Sequence, residues 1–334
     1  MKRYQARAAL LLVCLLVCAF VPKSDQGAVY DTSEAEPGHG LVGVYLTSHA
    51  VNKPAIMDGV LEACRAGMLN AVVINVKNMY GEITYRSEIS FARRLGSVTD
   101  RLDLATLVPS LQAQGIYVIA RQVLFYDPVF AAYRGYEHEW VPVDDELAMS
   151  YNLAIAEEVA DLGVDEIQFD YIRYADEGEY VPNYEDRYAS VERFLKEASR
   201  RLSGRVAVSA DLFGRVLWSW NLKRIDPIGQ SLEGMAPWLD FVSPMVYPSH
   251  YSEQTYRDDP FLTVHDALVA GTQRVDTPIR PFLQAFDRYL PDGMSMETYI
   301  REQIKAAKEY GADGYLFWHP ACDYTALYAA LREP

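Results

Sequence analysis

The sequence predicts a single (β/α)8 barrel, and three observations carry that prediction. From Gly40 onward, short apolar runs rich in β-branched and aromatic residues alternate eight times with segments of helical period. Strand alternating with helix implies parallel strands joined by right-handed crossovers. Gly67, Gly115, Gly163 and Gly311 stand where helices should close in a left-handed C-cap. The alternation occupies about 290 residues, the usual size of such a barrel. An open doubly wound sheet would carry a glycine-rich phosphate loop after its first strand. The corresponding stretch here, Thr47-Ser48-His49-Ala50-Val51-Asn52, has no glycine.

Taken in order, the chain opens with Lys2, Arg3 and Arg7 ahead of an apolar run from Ala8 to Val21. This is the charged and apolar pattern of an export signal, so residues 1–28 are expected to be a signal peptide or a lipid- or membrane-targeting segment, with Cys14 and Cys18 inviting the lipoprotein variant. The product is then exported: periplasmic, secreted or envelope-anchored. Residues 29–40, polar and carrying Pro37, Gly38 and Gly40, read as a linker, and residues 41–334 as the barrel. Its strands are expected at 42–46, 71–76, 117–123, 166–171, 206–212, 241–247, 281–286 and 314–318. Helices are expected at 57–66, 104–114, 151–162, 184–202, 260–273 and 298–310. Cys64 and Cys322 fall at opposite ends of this layout and are expected as two free, buried thiols.

Acidic residues outnumber basic ones by 46 to 31, for a formal charge of -15. That balance excludes a nucleic-acid partner, because nothing offsets phosphate repulsion. It also argues against docking on anionic membranes and favours neutral or cationic ligands. No apolar run reaches the ~18 residues of a spanning helix. Oligomeric state is not legible.

Strand parity then locates the chemistry, since alternate residues face opposite sides. In the fourth strand Ile167, Phe169 and Tyr171 form the apolar set and face the helices. Glu166, Gln168 and Asp170 therefore face the barrel interior, with Asp170 at the C-terminal mouth. The same reading turns Ala207, Ser209 and Asp211 inward, and likewise Asn75 and Lys77, Tyr247, and Trp318. In the third strand either Arg121 or Gln122 points in, and the seventh offers Gln284. Polar groups thus collect where barrel enzymes keep their catalytic residues. Asp170 and Asp211 sit at equivalent heights on adjacent strands. Acetal hydrolysis needs such a pair, one carboxyl protonating the leaving oxygen and the other attacking or activating water. Lys77 or Arg121 would hold one carboxylate ionised. Candidate substrate contacts are Lys77, Arg121, Tyr247, Gln284, Trp318, Asn75, Tyr45 and His250. The plainer reading is a structural ion-pair layer inside the barrel. Aromatic residues crowd the loops after the strands (Tyr126, Trp140, Trp218, Tyr251 and Tyr256 among them), most of them expected to pack the rim. The six histidines show no paired metal-ligand spacing, so neither metal nor cofactor is expected. No Gly-x-Ser-x-Gly elbow is present.

On these residues the chain resembles the family named "putative glycosyl hydrolase domain", bacterial barrels distantly like those of α-amylases and chitinases. The stretches that carry the resemblance are Val73-Ile74-Asn75-Val76-Lys77-Asn78, Ile119-Ala120-Arg121, Gln168-Phe169-Asp170-Tyr171-Ile172-Arg173, Ser209-Ala210-Asp211-Leu212-Phe213-Gly214, Ser243-Pro244-Met245-Val246-Tyr247-Pro248-Ser249-His250-Tyr251, Gln284-Ala285-Phe286 and Phe317-Trp318. The resemblance implies a (β/α)8 fold and glycosidase-like activity. The family stretch Asp-Tyr-x-Arg-Phe-Pro here ends in Tyr174 and Ala175. Against the chitinase pattern the catalytic Glu would fall at Ile172, which argues against substrate-assisted hydrolysis. Against the amylase pattern the fifth-strand acid is the shorter Asp211, which leaves open an acid from a loop, Asp287 or Asp144.

The expected function is hydrolysis of glycosidic bonds in a polysaccharide by two-carboxylate chemistry, with Asp170 as nucleophile or base and Asp211 as acid. A non-catalytic carbohydrate-binding barrel of the cell envelope is the alternative. A third option, Schiff-base chemistry on Lys77, is disfavoured because acidic surroundings raise a lysine's pKa. The separation of the carboxyls would distinguish retention, at about 5 Å, from inversion, at roughly 6.5–9.5 Å.

Overall fold

The computed structural model describes residues 38–177 and 183–332. The targeting segment 1–28 and most of the linker lie outside them. Residues 38–40 form a turn tied to the barrel: the Gly40 amide donates to Asp313 Oδ1 at 2.8 Å, and His39 pairs with the same carboxylate. No helix among the described residues is long and apolar enough to cross a membrane.

Ten strands are present: β1 (Leu41–Leu46), β2 (Ala71–Lys77), β3 (Ile83–Tyr85), β4 (Val98–Leu102), β5 (Tyr117–Val123), β6 (Glu166–Asp170), β7 (Ala207–Phe213), β8 (Phe241–Met245), β9 (Phe282–Gln284) and β10 (Gly314–Trp318). Eight of them, β1, β2 and β5 to β10, pair in parallel, and β1 bonds both β2 and β10, closing the cylinder. The expected barrel is therefore the observed one, and all eight expected strands are found. β3 and β4 are an excursion from the upper end of β2, entered by the antiparallel pairing of Lys77 with Ile83. Their short length hid them from a periodicity reading.

The strands read as near-continuous apolar runs because both faces are covered. Val72, Ile74, Ile167, Phe169, Val208 and Ala210 pack outward against the helix layer and are almost wholly buried. Several helices start where a side chain satisfies free backbone N–H groups. Asp145, for example, accepts from the Leu147 and Ala148 amides, so that helix begins at Glu146, a turn before its expected start. Gly314 is the one strand glycine that backbone geometry demands. Its φ of +75° and the Leu41 carbonyl, 2.2 Å from where a Cβ would stand, exclude any side chain. Cys64 and Cys322 are free thiols, but Cys64 is only half-buried.

Candidate active site

The mouth of the barrel is organised by one arginine. Arg121 of β5 is inward, which resolves the ambiguity of that strand. Gln122 faces the helix layer and donates to the Asn152 carbonyl. Arg121 Nε donates to Asp170 Oδ2 at 3.0 Å, and its Nη2 reaches the same oxygen. Its Nη1 donates to Asn75 Oδ1 at 2.6 Å. On the other flank Asp211 Oδ2 lies 3.6 Å from Arg121 Nε. Asp170 and Asp211, on neighbouring strands as expected, thus share one guanidinium.

The two carboxyls are close, interacting neighbours on either side of Arg121. Asp211 holds its proton well above the ordinary carboxyl range. Burial is the main cause and the Asp170 charge adds to it, against the opposing pull of Arg121. Two such carboxylates cannot both ionise at neutral pH. One proton therefore sits in the pair, and Asp211 carries it. Asp211 Oδ1 has no hydrogen-bond partner among the described residues, and neither does the Tyr247 hydroxyl. Both groups are buried, and both line an open cavity of about 300 Å³ above the barrel. Unpaired buried polar atoms are costly, and these two belong to residues that line the cavity.

Trp318 lines the same cavity and stacks on Tyr45, ring centroids 3.7 Å apart. The Arg121 guanidinium lies over both rings, 5.0 Å from Trp318 and 5.4 Å from Tyr45. Asn75 donates to the Tyr45 hydroxyl at 2.7 Å. Tyr45 and Asn75 therefore sit beneath the cavity and position Arg121 and Trp318. His250 lines the cavity, and burial with help from Arg288 lowers its pKa, so the ring is neutral.

Four expected contacts are corrected: Tyr45 and Asn75, beneath the cavity, do not line it, and neither do Lys77 and Gln284. Lys77 does not face the site. A β-bulge between Asn75 and Lys77 reverses the parity of the last residue of β2. Lys77 Nζ instead pairs with Asp127 at 2.7 Å and donates to Asn152 and to the Leu124 carbonyl, wholly buried among the helices. Gln284 is fully buried at the end of β9 and holds loops together. It accepts from the Ser249 amide and the Tyr299 hydroxyl and donates to the carbonyls of Phe286 and Arg288. The loop acids Asp144 and Asp287 are exposed and lie outside this cavity.

Other cavity residues escaped the sequence reading. Tyr171 was assigned to the helix face, but β6 ends at Asp170 and Tyr171 takes a φ of +51°, which swings it and Arg173 over the mouth. Phe213 continues the inward parity of Ser209 and Asp211, so extending β7 by one residue would have found it. Arg288 and Phe286 come from the loop after β9.

A closed (β/α)8 barrel with two acids at its C-terminal mouth is the architecture of many barrel hydrolases. The family model described as "Putative glycosyl hydrolase domain" matches residues 43–324, and the chain belongs to that family. Glycosidic hydrolysis is the activity class that the family's description carries. Solved structures share its fold at low identity. The glycoside hydrolase domain of PgaB (BpsB) from Bordetella bronchiseptica aligns at TM-score 0.59 and 16% identity, over 88% of this chain and 98% of that one. An endo-1,4-beta-mannanase from Rhizomucor miehei aligns at 0.63 and 12%, over 86% and 88%. The Bacillus cereus spore cortex-lytic enzyme SleL aligns at 0.57 and 12%, over 88% and 74%. No protein of curated function matches the chain.

Proposed function

We propose that the chain hydrolyses a polysaccharide with Asp211 as general acid and Asp170 as the anionic partner at the reacting carbon. The single observation that supports this most is the buried carboxyl pair sharing one proton beneath an open cavity, with Asp211 Oδ1 and the Tyr247 hydroxyl unpaired there. Asp211 retains a proton at neutral pH to give to a leaving oxygen. Asp170, bonded twice by Arg121 and once by the Tyr171 amide at 2.5 Å, presents a fixed negative charge to a carbon that becomes cationic in the transition state. Trp318 offers a ring face to the apolar face of a sugar. With the N-terminal segment read as an export signal, the substrate would lie outside the cytoplasm.

One observation favours the second reading, a carbohydrate-binding barrel without catalysis. Asp170 is bonded to Arg121 and Asp211 is almost wholly buried beside it, which argues that neither is free to reach a glycosidic oxygen. Release of reducing ends from a polysaccharide panel, measured beside binding to the same panel, separates the two. The hydrolase reading expects cleavage of a bound polymer, and loss of cleavage with retained folding in Asp170→Asn. Binding with no cleavage of any bound polymer would favour the second.

A further inference from the structure

The molecule is strongly acidic, yet three guanidinium groups line the cavity, those of Arg121, Arg173 and Arg288. Facing them are Asp170 and the proton-bearing Asp211. The mouth is therefore cationic within an anionic protein, and the overall charge is a poor guide to its ligand.

Arg121 is fully engaged with Asp170 and Asn75. Arg173 is not. Its guanidinium lies 4.3 Å from the Trp140 ring centroid and 4.4 Å from that of Phe213, with Tyr171 at 5.3 Å. Its hydrogen bond to protein goes from Nη1 to the Tyr174 carbonyl at 3.0 Å, and it forms no ion pair with a described residue. The two carboxylates that act on it from a distance are committed elsewhere, Asp170 to Arg121 and Asp176 to Arg215. Burial depresses its pKa more than those distant charges raise it. A guanidinium stripped of water and left without a counter-ion is unfavourable. Clamped by aromatic rings, it presents a fixed N–H edge, the planar fork that matches a carboxylate. Arg288 reaches the cavity from the loop after β9, three barrel strands around the rim, and it too has no ion-pair partner among the described residues.

We propose that Arg173 and Arg288 form an anion subsite that takes the carboxylate of an acidic sugar, so that the glycan bound here is a polyuronide. This rests on the reading of the cavity as a glycan site and adds the substrate class. Aromatic faces hold Arg173 in place, its fork fixes the sugar's orientation, and the reacting bond is delivered to Asp170 and Asp211 beside it.

The test uses the full chain with polygalacturonate, alginate and hyaluronan, each beside its carboxyl-reduced neutral form, and with dextran sulfate beside dextran. Binding and reducing-end release are measured separately. At least one polyuronide should bind tenfold or more tightly than its reduced counterpart, with the difference shrinking as salt rises. Arg173→Gln should abolish that preference, and Arg173→Lys should weaken it severalfold by removing the fork while keeping the charge. Arg288→Gln, at an exposed position, keeps the test valid should the Arg173 variants fail to fold, and should reduce the preference. Equal or absent binding of acidic and neutral forms overturns the proposal, and so does a preference for dextran sulfate over every polyuronide. Selective binding without cleavage upholds the subsite and defeats the hydrolase reading. Cleavage indifferent to carboxyl reduction does the reverse.

Discussion

The two ends of the barrel each bury an arginine against an acid of the same strand, β6, and they differ in one respect that decides their roles. At the lower end Glu166 pairs with Arg280, both fully buried; Ser209 donates to Glu166 and Arg280 donates to the Gly38 carbonyl, while Glu166 Oε2 and Arg280 Nε keep no hydrogen-bond partner among the described residues. One acid meets one arginine, and no described cavity opens onto them. At the upper end Arg121 faces two acids, the second keeps a proton, and both line the cavity. The lower pair is structural, and nothing in the sequence pointed to it; the upper one is the candidate site. A surplus carboxyl, rather than burial or an ion pair as such, separates them.

The sharpest way to break this comparison is to neutralise one acid at each end. Asp170→Asn should lower turnover by about 10³-fold or more, within the range that loss of positioned acid–base chemistry spans, while circular dichroism stays native-like and the loss of stability is smaller than at the lower end, because Asp211 remains beside Arg121 to ionise in its place. Glu166→Gln should act in the opposite sense. Breaking a buried pair while leaving Arg280 behind costs about 3–5 kcal/mol, read as a lower denaturant midpoint, with turnover per folded molecule retained. If Glu166→Gln silences a folded enzyme, the two ends are not distinct.

Asp211→Asn sharpens the contrast through pH. In the unfolded chain Asp211 ionises near the ordinary value of about 3.9, whereas in the fold it holds its proton well above that. Its contribution to stability is fully present below the unfolded value and is lost as pH rises through the folded one. The variant should therefore be inactive yet more stable than the parent at neutral and alkaline pH, with a flatter stability profile. In the parent, activity should fall as pH rises through the same titration. Tyr247→Phe gives the smallest effect. It removes a buried hydroxyl that has no partner in the unliganded protein, so stability should stay level or rise by up to about 1 kcal/mol, while substrate binding weakens.

Period and parity made the barrel legible, and with it the inward acids of β6 and β7, because a regular strand fixes every second side chain. What they could not reach lies where the strands stop being regular. The bulge that turns Lys77 into the helix layer inserts one residue without any composition signal. The left-handed backbone at Tyr171 is adopted by a residue type that rarely takes it. Arg173 could be placed only through Trp140 and Phe213, which come from distant parts of the sequence. The protonation of Asp211 follows first from its burial and then from the charge of Asp170, and a sequence states neighbouring strands but not how deeply a carboxyl is buried.

The proton shared by the upper pair is the claim on which the mechanism rests. Carbon-13 NMR titration of the aspartate carboxyls, assigned with Asp211→Asn, tests it directly. The account predicts one carboxyl titrating well above the ordinary aspartate range, lost in that variant and shifted downward in Asp170→Asn. An Asp211 that ionises at the value of an exposed aspartate, or whose titration ignores Asp170, would contradict it.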